Sequence, residues 1–211
     1  MEAWVAGWVV SRGAAEPEPS PWGFTIDVGL STHVMRHVLT TADETTVRKI
    51  TENTSAPGVW LKAFVEPEVL APWLAPGWSL AGGPGFLMSA ALRASRTGVP
   101  AGYRLRTWSR AGVVHALVRT ADGAFAARGQ IAVTGSTAVV DQVETAPEHQ
   151  RRGLGRLVMG SLATAAVQQG AAVGVLGATP EGRALYETAG WRVMAPLTGA
   201  VREPNASGPS T

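Results

Sequence analysis

Val143-Glu144-Thr145-Ala146-Pro147-Glu148-His149-Gln150-Arg151-Arg152-Gly153-Leu154-Gly155-Arg156 decides how the rest of this 211-residue sequence is read. A strand runs into a tight loop of Arg and Gly, and the loop opens a long helix. The start of a helix carries about four backbone N–H groups without intrahelical partners, and a partial positive charge. Gly153 and Gly155 have no side chain to keep a ligand from that backbone. Arg151, Arg152 and Arg156 add charge around it. The arrangement predicts an anion socket suited to phosphate or pyrophosphate. The plainer alternative is a solvated, arginine-rich helix start. Two nucleotide-binding spellings are excluded. A P-loop needs Lys after its last Gly, and no Lys follows Lys62. A dinucleotide fingerprint needs Gly where Val158 stands.

Downstream of the loop, Leu154, Leu157, Val158, Leu162, Ala165 and Ala166 form one apolar stripe at helical spacing, so a helix is predicted over 150–169, ended by Gly170. A buried strand follows at 172–178, then a short helix over 180–188, a break at Gly190 and a strand at 191–196. Upstream, strands are predicted at 103–108, 113–120, 124–134 and 138–145, with Ala121-Asp122-Gly123 as a hairpin turn. A Gly/Pro break at 98–102 separates this half from a first one. There the pattern predicts strands at 24–30, 33–39 and 59–65, a helix at 43–50 capped by Thr41 or Asp43, a helix from Pro67 to Leu74, and a strand or helix at 86–92. The apolar start, Ala3 to Val10, reads as a strand. Gly77-Trp78 and Gly190-Trp191 hint at a repeat on two shared residues. The expected layout is 1–98, a smaller α/β half; 99–200, the domain with the socket; and 201–211, a flexible tail. The fold class is mixed-sheet α/β.

The stretch Gln150-Arg151-Arg152-Gly153-Leu154-Gly155 resembles the acyl-CoA-binding motif of the GNAT N-acyltransferase superfamily, Gln/Arg-x-x-Gly-x-Gly/Ala. The likeness extends to Gly182-Arg183-Ala184-Leu185-Tyr186-Glu187-Thr188-Ala189-Gly190-Trp191, which is similar to the family's second signature, and covers roughly residues 103 to 197. It implies a GNAT-like acyl-CoA-binding fold in the C-terminal half, with a degenerate GNAT-like N-terminal half packed on it. The strands at 145 and 173 are then expected to splay, and the pantetheine arm to bond the backbone of Val143 and Thr145. Amides from Gln150, Arg151, Arg152, Gly153, Leu154, Gly155 and Arg156 are expected to take the pyrophosphate, with Thr179 and Arg183 as further donor contacts. Tyr186 is expected to protonate the departing thiolate. Two departures stand out. Thr179 occupies a place where many members carry Asn, and only a turn fits between Trp108 and Val113 where members place two helices. Residues 1–98 are therefore expected to supply the acceptor wall.

An alkylammonium with a pKa near ~10.4 must lose a proton before it attacks a thioester, so a base is expected. Asp141 and Glu144 are the candidates on the fourth strand of the second half. Strict alternation puts Asp141 on one face with Val143 and Thr145, and Glu144 on the other. His115 is a third candidate, and His149 lies beside the loop as a donor contact or bystander. His33 and His37 show no metal partner, and no metal is expected. Eight Trp, six of them in the first half, read as core or as an aromatic pocket for the acceptor.

Composition narrows the function. The sequence contains no Cys, which removes disulfides, thiolate metal sites and a thiol nucleophile. The net charge of +2 does not predict nucleic-acid binding, and no apolar run approaches the ~20 residues of a membrane helix. The reading is a cytoplasmic N-acetyltransferase that uses acetyl-CoA as donor and a small-molecule or peptide amine as acceptor, with a homodimer left open. The alternative is a non-catalytic acyl-CoA-binding sensor or structural module.

Overall fold

The structure is a computed structural model that describes residues 1–95 and 98–204. The chain divides into two units that interleave in sequence. The first holds Met1–Arg12 and Met88–Val193; the second holds Gly13–Leu87 and the chain from Met194 onward. The cut expected at 98/99 instead falls between two strands of the first unit. The N-terminal segment, which belongs to the first unit, is a helix, α1 (Glu2–Arg12), and not a strand. Trp4, Val5, Trp8 and Val9 are buried at i, i+1, i+4 and i+5, a helical spacing. Gly7 makes the packing feasible. A Cβ there would come within 2.3 Å of Val139 Cγ2.

In the second unit, β1 (Glu18–Ser20), β2 (Gly23–Leu30), β3 (His33–Leu39), β4 (Val59–Ala63) and β5 (Trp78–Leu80) join a late strand, β13 (Thr198–Arg202), in the order β1-β2-β3-β4-β13-β5. The β3–β4 pair is parallel and the other pairs are antiparallel, so the sheet is mixed. Helix α2 (Glu44–Asn53) crosses over between β3 and β4 and starts at Asp43, whose side chain accepts from Thr46 N at 2.9 Å. A short helix, α3 (Pro67–Leu70), continues into a 3₁₀ turn over Ala71–Trp73. Leu39, Val47, Leu61, Leu70 and Trp78 form the core of this unit. Val201 and Arg202 belong to β13 and not to a tail; the tail expected beyond them lies from 205 outside the described residues.

The other sheet has the order β12-β6-β11-β10-β9-β8-β7, formed by β6 (Phe86–Ala91), β7 (Tyr103–Arg110), β8 (Val113–Thr120), β9 (Phe125–Thr134), β10 (Thr137–Thr145), β11 (Val173–Ala178) and β12 (Arg192–Pro196). The units divide within β6 and within β12. Ala111 and Gly112, both at positive φ, make the two-residue turn between β7 and β8. Helix α4 (Leu154–Gln168) packs on β8, β9 and β10. Leu154, Leu157, Val158 and Leu162 are fully buried beneath it, each worth roughly 1.5–3 kcal/mol of apolar burial. Gly129 on β9 permits the approach, since a Cβ there would lie 2.7 Å from Val158. Helix α5 (Pro180–Thr188) follows β11, capped by Thr179. The mixed α/β class therefore holds, with two mixed sheets.

Candidate active site

Strands β10 and β11 run parallel from Thr137↔Val173 to Val140↔Leu176, and their ladder then stops. Strand β10 goes on to Thr145 along β9, while β11 turns away into α5. Strand β10 bulges at this fork. Asp141 pairs with Gln130 and Glu144 pairs with Arg128, so one extra residue is accommodated, and Gln142 takes φ +52. The bulge overturns the strict alternation expected from the sequence. Gln130 and Arg128 are two apart on one strand and share a face, so Asp141 and Glu144 share that face as well. Val143 faces the α4 side, its Cγ2 3.2 Å from where a Gly129 Cβ would sit.

Below the fork lies the α4 N-terminus. Pro147 opens a 3₁₀ turn over Pro147–His149, and Arg151 and Gly153 both adopt positive φ, at 61° and 78°. Such turns gather backbone N–H groups toward one concavity. Gly153 caps α4 in left-handed conformation and leaves the first N–H groups of the helix uncapped by any side chain. Gly155 serves packing too: a Cβ there would meet Leu185 of α5 at 2.9 Å. A cleft of about 580 Å³ opens here, floored by Val143 and Thr145 and walled by Arg151, Gly153 and Arg156 on one side and by Thr179, Leu185 and Tyr186 on the other. Arg151 and Arg156 make no ion pair with any described residue.

Most of the expected donor contacts meet in this cleft: Val143, Thr145, Gln150, Arg151, Gly153, Leu154, Gly155, Arg156 and Thr179 all line it. Arg152 and Arg183 do not. Arg152 donates to the Tyr103 hydroxyl at 3.1 Å, and that hydroxyl lies 3.1 Å from His149 Nδ1. Arg183 pairs along α5 with Glu187 at 2.7 Å. The Thr179 hydroxyl is committed to capping α5 at Gly182 N, 3.2 Å away.

A smaller hollow of about 170 Å³ continues from the cleft between the forked strands, lined by Asp141, Gln142, Val143, Gly177, Thr179 and Tyr186. Tyr186 is buried. Desolvation, and then the charge of Asp141, push its phenol up to about 12, so it holds its proton at neutral pH. Asp141 is itself engaged. It accepts from Ser11 Oγ at 3.0 Å and from Arg12 Nη2 at 2.9 Å, both from α1, and from its neighbour's Gln142 N at 2.9 Å. Glu144 pairs with Arg128 at 2.9 Å, with both groups half exposed. His115 lies on β8, two strands across from Asp141 through Gln130, stacked under Trp108. The α1 contacts to Asp141 left no signal in the sequence, because Ser11 and Arg12 stand 130 and 129 residues away.

The arrangement offers an anion socket, a strand-lined channel, a protonated phenol at its inner end and two carboxylates on the far face. No group of three or more His, Cys, Asp or Glu side chains able to hold a metal occurs among the described residues, and no helix among them is long and apolar enough to cross a membrane.

Residues 104–200 match the family model of the acetyltransferase (GNAT) domain. No curated protein sequence matches this one. Among solved structures, the chain is similar to a GCN5-related N-acetyltransferase from Kribbella flavida, at 19% identity and a TM-score of 0.60 over 98% of this chain and 94% of that one. It is similar to a GNAT-family protein from Novosphingobium aromaticivorans, at 18% and 0.60 over 97% and 96%. A tandem GNAT protein from the clavulanic acid biosynthesis pathway follows at 16% and 0.55, over 78% and 68%. At these identities the likeness is one of fold.

Proposed function

We propose that this chain, whose residues 104–200 match the model of the acetyltransferase (GNAT) domain, transfers an acetyl group from acetyl-CoA to a primary amine by direct attack in a ternary complex. The observation that carries the reading is the alignment of three features in one continuous cleft: the uncapped α4 N-terminus, the gap beyond Val140↔Leu176 and the protonated phenol of Tyr186.

In this reading the donor pyrophosphate takes the N–H groups from Gly153 to Arg156, helped by Arg151 and Arg156. The pantetheine arm lies in the gap and bonds the exposed backbone of Val143 and Thr145, as an added strand would. The thioester then reaches the hollow at Tyr186. The acceptor nitrogen, already deprotonated, attacks the thioester carbon. A C–N bond forms and the C–S bond breaks. The sulfur leaves with its electron pair and takes the proton of Tyr186, which solvent restores. The surplus proton on nitrogen leaves through a base.

Glu144 is the carboxylate suited to pass that proton to solvent, because it is exposed and borders the cleft. Asp141 is held by Arg12 and Ser11, and its charge helps to keep Tyr186 protonated. With no Cys in the chain, no thiol-borne acyl-enzyme intervenes. Positioning of two substrates supplies much of the rate.

The test is calorimetry with acetyl-CoA, followed by CoA release with a panel of amines. Binding followed by release with at least one amine is the expected result. Binding without release favours the sensor alternative, and no binding at saturating donor overturns both.

A further inference from the structure

Beyond the bulge, on the sheet face that carries Asp141 and Glu144, a second cavity of about 440 Å³ is built entirely from strands β7 to β10. We propose that these strands, in place of the residues 1–98 expected from the sequence, wall the acceptor, that the acceptor is a small amine carrying a planar ring, that the ring seats on the Trp108–His115 stack, and that its amine points to Gln142 and Glu144. This deepens the transferase reading and rests on it.

The cavity has two chemically different ends. Trp108 and His115 are direct cross-strand partners whose rings lie 5.1 Å apart at an angle of 14°. Trp108 and Phe125 are each 38% exposed, and both line the cavity along with Leu117. Large aromatic rings left open to water in a concave site are surface that a flat apolar group can cover. The other end is polar. Gln142 borders both this cavity and the hollow that holds Tyr186, and Glu144 borders both this cavity and the donor cleft. A ligand with its ring on Trp108 therefore has its other end directed toward the reacting atoms.

Charge decides between classes of amine. The Arg106 guanidinium lies 6.0 Å from the Trp108 ring centroid, and Arg128 lines the cavity. Glu144 is the one carboxylate in the lining, and Arg128 already pairs with it. An acceptor with a second ammonium would set that charge near Arg106 and Arg128, where like charges repel. A ring carries no such penalty. The volume lies within the ~300–1,000 Å³ range of small-ligand pockets and suits one ring system on a short alkylamine. Spermidine and lysine-rich peptides are disfavoured by that repulsion.

CoA release is to be measured at saturating acetyl-CoA with phenylethylamine, spermidine and a lysine peptide. The ring amine is expected to exceed the other two in kcat/KM by about tenfold or more. Trp108→Ala is expected to raise KM for phenylethylamine about tenfold while leaving kcat within about twofold, and Trp108→Phe to restore most of the loss. Equal or better turnover of spermidine or the lysine peptide overturns the proposal, as does a Trp108→Ala variant that slows all three acceptors alike. Binding of phenylethylamine to the CoA-saturated protein, followed by saturation-transfer NMR, gives a readout that needs no turnover; no transfer also overturns it. Loss of acetyl-CoA binding would instead bring down the donor-site reading, so the two failures are told apart.

Discussion

At the N-terminus of α4, Arg151 and Arg156 stand exposed beside a cleft, next to backbone N–H groups that no side chain caps. On the β3–β4 sheet of the second unit, Arg36 is 8% exposed and Lys62 shares its face, with Trp60 beneath the Lys62 ammonium at 5.8 Å. Both regions concentrate positive charge, with opposite energetics. Water solvates the first set, so the charges cost little when the cleft is empty and gain when an anion enters. The second is largely withdrawn from water: Arg36 is buried and Lys62 keeps only part of its side chain solvated. Burial, and then the charge of Arg36, lower the Lys62 ammonium to about 8, and no described residue gives it a carboxylate partner. A ligand site is recognised by charge that is open and unsatisfied; buried charge alone marks a cost borne by the fold.

The largest effect is expected where the open region meets the chemistry. Tyr186→Phe removes the phenolic proton at the inner end of the cleft and keeps the ring in place. We expect kcat to fall about 10²-fold or more, with the acetyl-CoA dissociation constant nearly unchanged. Because Tyr186 lies at about 12 in the folded protein, its ionisation should not contribute an alkaline fall in kcat below about pH 11. Steady-state kinetics across pH with both proteins checks both points, and a Tyr186→Phe variant at full rate would remove the acid from the mechanism.

Next comes the buried cation. Lys62 binds its proton more weakly when folded than when unfolded. Between about pH 8 and 10.5 the unfolded chain holds more protons, so stability rises with pH across that window and the full penalty applies below it. The drop from 10.5 to about 8 corresponds to on the order of 3 kcal/mol at neutral pH. The solvated part of the side chain and the loss of the Trp60 contact reduce the net gain, so Lys62→Met is expected to stabilise by about 1–2 kcal/mol at pH 7. Urea unfolding of both proteins at pH 7 and 10 tests this: the difference should shrink at the higher pH. A destabilised Lys62→Met would mean that the ammonium has a partner worth more than its desolvation.

The same contrast explains how far the sequence could be read. The turn and helix start at the candidate socket were legible because they are local: five residues from Arg151 to Gly155 fix turn, helix start and backbone exposure through short-range sterics. The helix over 154–168 and the Asp43 cap are local in the same way. What could not be read depends on partners far along the chain. The segment from Ala3 to Val10 is apolar on nearly every side, so no period favoured helix over strand; packing of Gly7 on Val139 settles it. Strand β13 was missed because five residues, Thr198–Arg202, acquire strand character only by pairing with β4 and β5. The bulge at Gln142 brought Asp141 and Glu144, expected on opposite faces, onto one face, and a non-glycine residue at φ +52 carries no sequence signal.

A smaller effect sharpens the open side of the comparison. Arg156 lines the cleft one turn into α4, unpaired, and Arg156→Glu replaces attraction by repulsion at a solvated position. Acetyl-CoA affinity is expected to fall about tenfold at low salt and less at 0.5 M salt, since screening acts on exposed charges. Calorimetry at two ionic strengths reads this directly. An affinity unchanged at low salt would put the diphosphate elsewhere.

The smallest effect again belongs to the buried side. His37 of β3 sits beneath the edge of Trp22, ring centroids 5.4 Å apart, with its Nδ1 3.1 Å from Thr25 Oγ1. Burial lowers its imidazole below the ordinary 6.5. The unfolded chain then takes up a proton as pH falls through 6.5 while the folded chain stays neutral, so the second unit loses stability on acidification from that point and not on raising the pH. The thermal midpoint is expected to decline between pH 7 and 5.5, before the carboxylates begin to protonate. His37→Phe should flatten the decline in that interval while leaving acetyl-CoA binding untouched. If the slope survives the substitution, the acid sensitivity belongs to another group, and buried imidazole contributes nothing to the contrast between the two charged regions.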